Sequence, residues 1–282
     1  MADSASNSNN DDRVRILVRG FGPFNNYKTN PAGEIVYSLP DNLPEDPSVR
    51  ILSGDALPAS YTRLQALLPA CIERTDPDII VLLGLDETSP PGVFKIEIGA
   101  DRDGYHQILD SHREVFTKRD GKRVFGGGGA VAKGEERLET RFDVDGVVET
   151  CMNDVWGLEV PSSSSSSSSS ASGNSEPKPT TTSNKNSKKS SKASKPAAQT
   201  RTASTATITK HPISIQRSDD PGTFVCGFAY YLTMFELTHK RSRKPDVVFL
   251  HLPWLEGKEQ IGVGVAVVRK ILAALAGAWE GR

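Results

Sequence analysis

Nine residues, Pro77–Leu85 (PDIIVLLGL), constrain this chain most. From Ile79 onward the run has no polar side chain and does not alternate. Turn residues precede it, and it is too short for a buried helix. A strand apolar on both faces must be covered on both faces, which is the situation inside a parallel sheet flanked by helices. Val14–Val18 and Asp246–Leu252 (DVVFLHL) read the same way. Helical spacing fills the intervals. Pro31 suits the first turn of a helix running to about Leu39, and Ser60 caps a helix carrying Leu64, Leu67, Leu68 and Cys71. Val144–Met152 reads as a third helix. Phe224, Phe228, Tyr231 and Phe235 mark a fourth, and Ile261, Val265, Val268, Leu272, Leu275 and Trp279 a last. Val49–Ser53, Phe94–Ile98, the start of a strand at Gly157–Val160, and ISIQ from Ile213 complete the strands. Residues 101–142, polar and glycine-rich, read as loops and hairpins, with Gly126–Gly129 as a flexible loop. Strands alternating with helices predict an α/β fold: a three-layer α/β/α sandwich around a mostly parallel sheet, in a single domain.

One stretch departs from this pattern. After Pro161 come nine serines, Ser162–Ser170, and the chain to Pro212 is mostly Ser, Thr, Lys, Ala and Pro, without one Phe, Trp or Tyr. Such a segment buries too little apolar surface to offset its ordering entropy. Residues 161–212 are expected to be a disordered insertion within a domain formed by 13–160 and 213–282, and residues 1–12 a disordered tail. The insertion holds seven lysines and one arginine against a single acid, Glu176, so the rest of the chain is acidic although the net charge is only −1. Its SKKSSKASK run reads as a solvated charge run, with a localisation or acidic-partner patch as the alternative. The near-zero net charge selects neither nucleic acid nor an anionic membrane, and no apolar run is expected to reach the length needed to span a bilayer. Three scattered cysteines, Cys71, Cys151 and Cys226, make neither a disulfide framework nor a CxxC metal site. A soluble, cytoplasmic, reducing setting is expected.

Three residues stand out chemically. Cys226 falls near the start of the helix that follows Pro221-Gly222, where backbone N–H groups and the helix dipole favour a thiolate and an oxyanion. His251 ends a buried strand, the place where parallel sheets present functional groups. Glu97 lies among Phe94, Ile96 and Ile98 and needs a partner if buried. A cysteine, a histidine base and an acid that orients it make a cysteine hydrolase. Each residue has a plainer alternative: Cys226 as core filler under an aromatic helix, His251 as a hydrogen-bonded core residue, Glu97 on the open face of an edge strand. The three lack metal-ligand spacing. GFGPF (Gly20–Phe24) lacks the third glycine of a dinucleotide fingerprint.

Four segments in order resemble the pyroglutamyl peptidase I family of cysteine peptidases, which remove an N-terminal pyroglutamate. VRGFGPFNNYKTNPAGEIV is similar to its amino-terminal signature and IEIGADRDGY to its glutamate segment, most of all in the eukaryotic branch. DPGTFVCGFAYY resembles its nucleophile segment and VVFLHLPWL its histidine strand. The resemblance implies Cys226 as nucleophile, His251 as general base and Glu97 as its orienting acid, with no cofactor and no metal. It implies that Phe21 and Phe24 wall the flat, uncharged lactam, that Phe224 lies near the nucleophile, and that the glycines at 20 and 22 admit close approach. Pyroglutamyl peptides are the implied partners, with homo-oligomer formation left open. The other reading is a catalytically silent homologue that binds capped peptides or a protein partner. Three features depart from the family: GLDETSPPGV at 84–93 in place of a glycine-rich turn, Arg19 in place of a small residue, and the 161–212 insertion.

Overall fold

In the computed structural model, residues 13–24, 27–126, 134–162 and 209–280 are described. The expected disorder of 1–12 and of most of 161–212, and the flexible loop expected at Gly127–Gly129, lie outside them. In chain order the elements are β1 (Val14–Gly20), α1 (Pro31–Ser38), β2 (Asn42–Leu43), β3 (Asp46–Leu52), α2 (Tyr61–Thr75), β4 (Ile79–Leu85), β5 (Val93–Glu97), β6 (Gly99–Asp101), α3 (Lys118–Phe125) and β7 (Arg137–Glu139). Then follow α4 (Val144–Asp154), β8 (Glu159–Pro161), β9 (Lys210–Pro212), β10 (Ser214–Ser218), α5 (Val225–Phe235), β11 (Val247–Leu252) and α6 (Gly257–Glu280).

The apolar run of β4 is buried at every residue and lies in the middle of a seven-stranded sheet, ordered β10-β5-β11-β4-β1-β3-β2. β4 pairs in parallel with β1 and β11, and β1 with β3. β5 runs antiparallel to β11 and carries β10 parallel to itself, while β2 closes the far edge antiparallel to β3. The side-chain alternation of the strands divides the core in two. Ile16, Val18, Val81, Leu83, Val248 and Leu250 pack with α1, α4 and α6 on one face. Leu17, Ile80, Leu82, Val247 and Phe249 pack with α2 and α5 on the other. This is the expected three-layer sandwich.

Local signals set the helix starts. Asn30 caps α1 by accepting the Ala32 N–H, with Pro31 as the first helical residue, and Ser60 caps α2 by accepting from Arg63 N.

Three expectations need correction. Residues 101–142 are not only loops and hairpins. β6 pairs antiparallel with β7 across a long connection, and within it Lys118–Phe125 is a helix, opened by a reciprocal Thr117–Asp120 capping box. Its only buried residues are Gly121 and Phe125, so it has almost no apolar periodicity to read. Residues at the ends of the 161–212 stretch are ordered: Pro161 pairs with Lys210 and Glu159 with Pro212 in the antiparallel β8–β9 ribbon. Finally, Gly257–Trp279 is long and apolar enough by length and composition to cross a membrane. In the structure Ile261, Val267, Val268, Ile271, Leu272, Leu275 and Ala276 of this helix are buried in the first core.

Candidate active site

The end of β4 meets β11, β5 and the start of α5, and these bring the three titratable residues together. Glu97 is the last residue of β5 and fully buried. His251 lies one residue before the end of β11 and is 6% exposed. Antiparallel β5–β11 pairing sets Glu97 opposite Phe249, two residues from His251 on the same face, and His251 Nδ1 donates to Glu97 Oε1 at 2.8 Å. This leaves Nε2 free of Glu97, and His251 shares the lining of one cavity with the Cys226 side chain. Burial pushes the His251 pKa down, but the bonds with Cys226 and Glu97 outweigh it and raise the value to about 10. At neutral pH the ring is an imidazolium between a carboxylate and a sulfur.

Cys226 is the second residue of α5, part-exposed, on a helix whose cap residue, Phe224, supplies no side-chain bond to the first turn. The N–H groups of that turn have no intrahelical acceptor.

Space for the sulfur comes from a residue that the sequence did not single out. A Cβ on Gly84 would lie 2.9 Å from Cys226 Sγ and 2.8 Å from Phe249 Cζ. Gly84 is the strand partner of His251. A glycine inside an apolar strand was the available signal.

A cavity of about 590 Å³ opens onto the Cys226 and His251 side chains, and Phe21, Phe24 and Phe224 all line it. Their settings differ. Phe21 is 3% exposed and packs on Phe249 in the core, with ring centroids 6.5 Å apart. Phe24 is part-exposed and packs on Tyr27, which in turn packs on Trp254. Phe224 meets Tyr61 edge-on. The opening at Gly20 serves the scaffold: a Cβ there would fall 2.2 Å from the Ala32 carbonyl oxygen, so this glycine admits α1 rather than a ligand. Asn30, buried, ties the loop to that helix by donating from Nδ2 to Gly22 O.

Two of the departures acquire a structural account. The Arg19 guanidinium is buried behind the loop, donating to Asp55 O at 2.5 Å and approaching Cys71 Sγ at 2.9 Å. The turn after β4 is organised by Asp86, whose Oδ1 accepts from Thr88 N and Oγ1, and whose Oδ2 accepts from Ser89 Oγ and Lys95 Nζ, the last at 2.7 Å. Burial raises the Asp86 pKa, but the bonds from Lys95, Thr88 and Ser89 prevail and hold it far below the usual carboxylate range. In sequence this turn stands in place of a glycine-rich one. It is a side-chain-braced wall of the cavity.

The sheet order and the two helical layers are those of solved pyroglutamyl peptidases. The chain superposes on a mutant pyrrolidone carboxyl peptidase from the hyperthermophile Pyrococcus furiosus with a TM-score of 0.59 at 14% identity, covering 93% of this chain and 97% of that one. With pyroglutamyl peptidase I from Bacillus amyloliquefaciens the TM-score is 0.60 at 16% identity, covering 94% and 95%. In sequence, residues 14–98 match the family model described as pyroglutamyl peptidase. Among curated relatives, the pyrrolidone-carboxylate peptidase of Thermococcus onnurineus is 32% identical over 71 residues, 25% of this chain and 34% of the relative. That of Fusobacterium nucleatum is 37% identical over 70 residues, 25% and 31%. The sequence match thus spans about a third of the length of these relatives. The family-model match, residues 14–98, includes Phe21, Phe24 and Glu97, whereas Phe224, Cys226 and His251 lie beyond it.

Proposed function

We propose that this protein is a cysteine peptidase that hydrolyses the bond after an N-terminal pyroglutamyl residue. The observation that carries the reading is the hydrogen bond between buried Glu97 and His251, with His251 and Cys226 together on the wall of an aromatic-lined cavity. Cys226 acts as a thiolate, with the proton held on His251 and the imidazolium stabilised by Glu97. Sulfur attacks the exocyclic carbonyl carbon of the pyroglutamyl residue, and the oxyanion lies against the first-turn N–H groups of α5. As the tetrahedral adduct collapses, His251 gives its proton to the departing amine and the C–N bond breaks, leaving a thioester. Neutral His251 then takes a proton from water, whose oxygen attacks the thioester, and free pyroglutamate leaves with the thiolate restored.

Phe24 and Phe224 supply apolar faces for a flat, neutral ring, and buried Phe21 backs them. Pyroglutamyl peptides are therefore the proposed partners. The three cysteines are all free, which fits a reducing, cytoplasmic setting. The silent-homologue reading has no observation in its favour.

The test is hydrolysis of a pyroglutamyl amide carrying a fluorescent leaving group. Turnover that stops on alkylation and is absent in Cys226→Ala supports the reading. Absence of turnover in the untreated protein, or full activity in Cys226→Ala, would overturn it.

A further inference from the structure

The pair formed by Lys95 and Asp86 is a part of this cavity that the hydrolytic chemistry leaves unused. Lys95 and Glu97 are two residues apart on β5 and so share a face, and Lys95 is the direct cross-strand partner of His251. Directly opposed residues of an antiparallel pair hold their side chains about 5 Å apart. Lys95 and Asp86 both line the cavity. The ammonium donates one N–H to Asp86 Oδ2, and an ammonium has three N–H donors, so two are left.

The charge balance of the pair matters. Asp86 is firmly ionised, so the pair is close to neutral as a whole while still presenting strong N–H donors. A free ammonium would draw a carboxylate into the site, whereas a neutralised one offers hydrogen bonds without a net field. A ring carbonyl oxygen is a neutral acceptor of that kind. Among the other lining side chains, Thr88 commits its hydroxyl to Asp86 and Asn30 commits one N–H to Gly22 O.

Resting on the pyroglutamyl reading above, we propose that Lys95 Nζ donates to the ring carbonyl of the lactam, with Asp86 holding the ammonium in place. Lys95 is then a substrate-binding residue, and Asp86 a positioning residue.

The experiment isolates the carbonyl. Three fluorophore-linked amides are compared by anisotropy on a Cys226→Ser background: pyroglutamyl, 3-oxocyclopentanecarbonyl and cyclopentanecarbonyl. The last two differ only in the ring carbonyl. The expected result is that the 3-oxo compound binds about tenfold or more tighter than cyclopentanecarbonyl, the scale of a hydrogen bond from a charged donor. Lys95→Met should abolish this ratio. Asp86→Asn frees the ammonium from its anchor but keeps the donor, and should lower the ratio in part without abolishing it, while Lys95→Arg should retain most of it. Equal loss in Lys95→Met and Asp86→Asn would overturn the proposal and make the pair a brace for the turn. An unchanged ratio in Lys95→Met would also overturn it. Failure of the pyroglutamyl amide itself to bind in the Cys226→Ser protein, with the fold intact, would overturn the pyroglutamyl reading and Lys95's role with it.

Discussion

Gly84 and Cys226 come so close that a single methyl group cannot stand between them: a Cβ on residue 84 would lie 2.9 Å from the sulfur. Strand β4 therefore sets the position of a side chain carried by helix α5. Gly84→Ala should push the sulfur away from His251 and press on Phe249 as well. Small misplacements of reacting groups are expensive, so kcat should fall by about 100-fold, with overpacking costing about 1–3 kcal/mol of stability. Steady-state kinetics with a denaturation curve separates the two effects. A variant with unaltered kcat would show that the nucleophile does not depend on this gap.

Glu97→Gln keeps the volume of the side chain and removes its charge. Loss of the group that orients and stabilises the imidazolium should lower kcat by on the order of 10²–10⁴.

The same substitution should alter the pH dependence of stability. His251 titrates near 6.5 when unpartnered and near about 10 in the fold. A raised value means that folding takes up a proton, so the stabilisation is complete below pH 6.5 and is lost as pH rises toward about 10. Urea unfolding across that window should show declining stability, with a shallower decline in Glu97→Gln. Equal slopes would remove Glu97 as a source of the shift.

The two phenylalanines of GFGPF should separate. Phe21 is a core residue, and Phe21→Ala should cost about 3–5 kcal/mol of stability. Phe24 is part-exposed on the cavity wall, so Phe24→Ala should spare the melting temperature and weaken substrate binding by about 1–3 kcal/mol. That loss should fall mainly on KM if the ring is held equally in the ground and transition states. Melting curves and kinetics on both variants decide this. A stable Phe21→Ala, or a Phe24→Ala with unchanged KM, would contradict the assignment.

Pro161 and Lys210 are paired across the β8–β9 ribbon, so a two-residue Asn-Gly turn can join the strands in place of residues 162–209. Deletion should leave activity unchanged and the melting temperature within about 2–4 °C, the equivalent of 1 kcal/mol. A larger loss would mean that the low-complexity stretch contributes contacts to the domain.

The sequence by itself determined the layers. β4 and β11 announce burial on both faces by their apolar runs, and Ser60 and Pro31 mark helix starts through chemistry confined to a few neighbouring residues. Cys226, His251 and Glu97 stood out as local anomalies, a cysteine at a helix start and polar residues in apolar strands, but only the resemblance of four ordered segments attached roles to them. Tertiary structure alone decided the remainder. Helix α3 carries too few buried residues to show a period, and its capping box became visible only with the helix. That Gly84 makes room for a sulfur 142 positions away, that Gly20 admits α1, and that Lys95 faces His251 across a strand pair all depend on register between strands distant in the chain. The physical reason is that short-range periodicity records which face a residue buries. Which atoms meet on that face is fixed only when the sheet order and register bring the strands together.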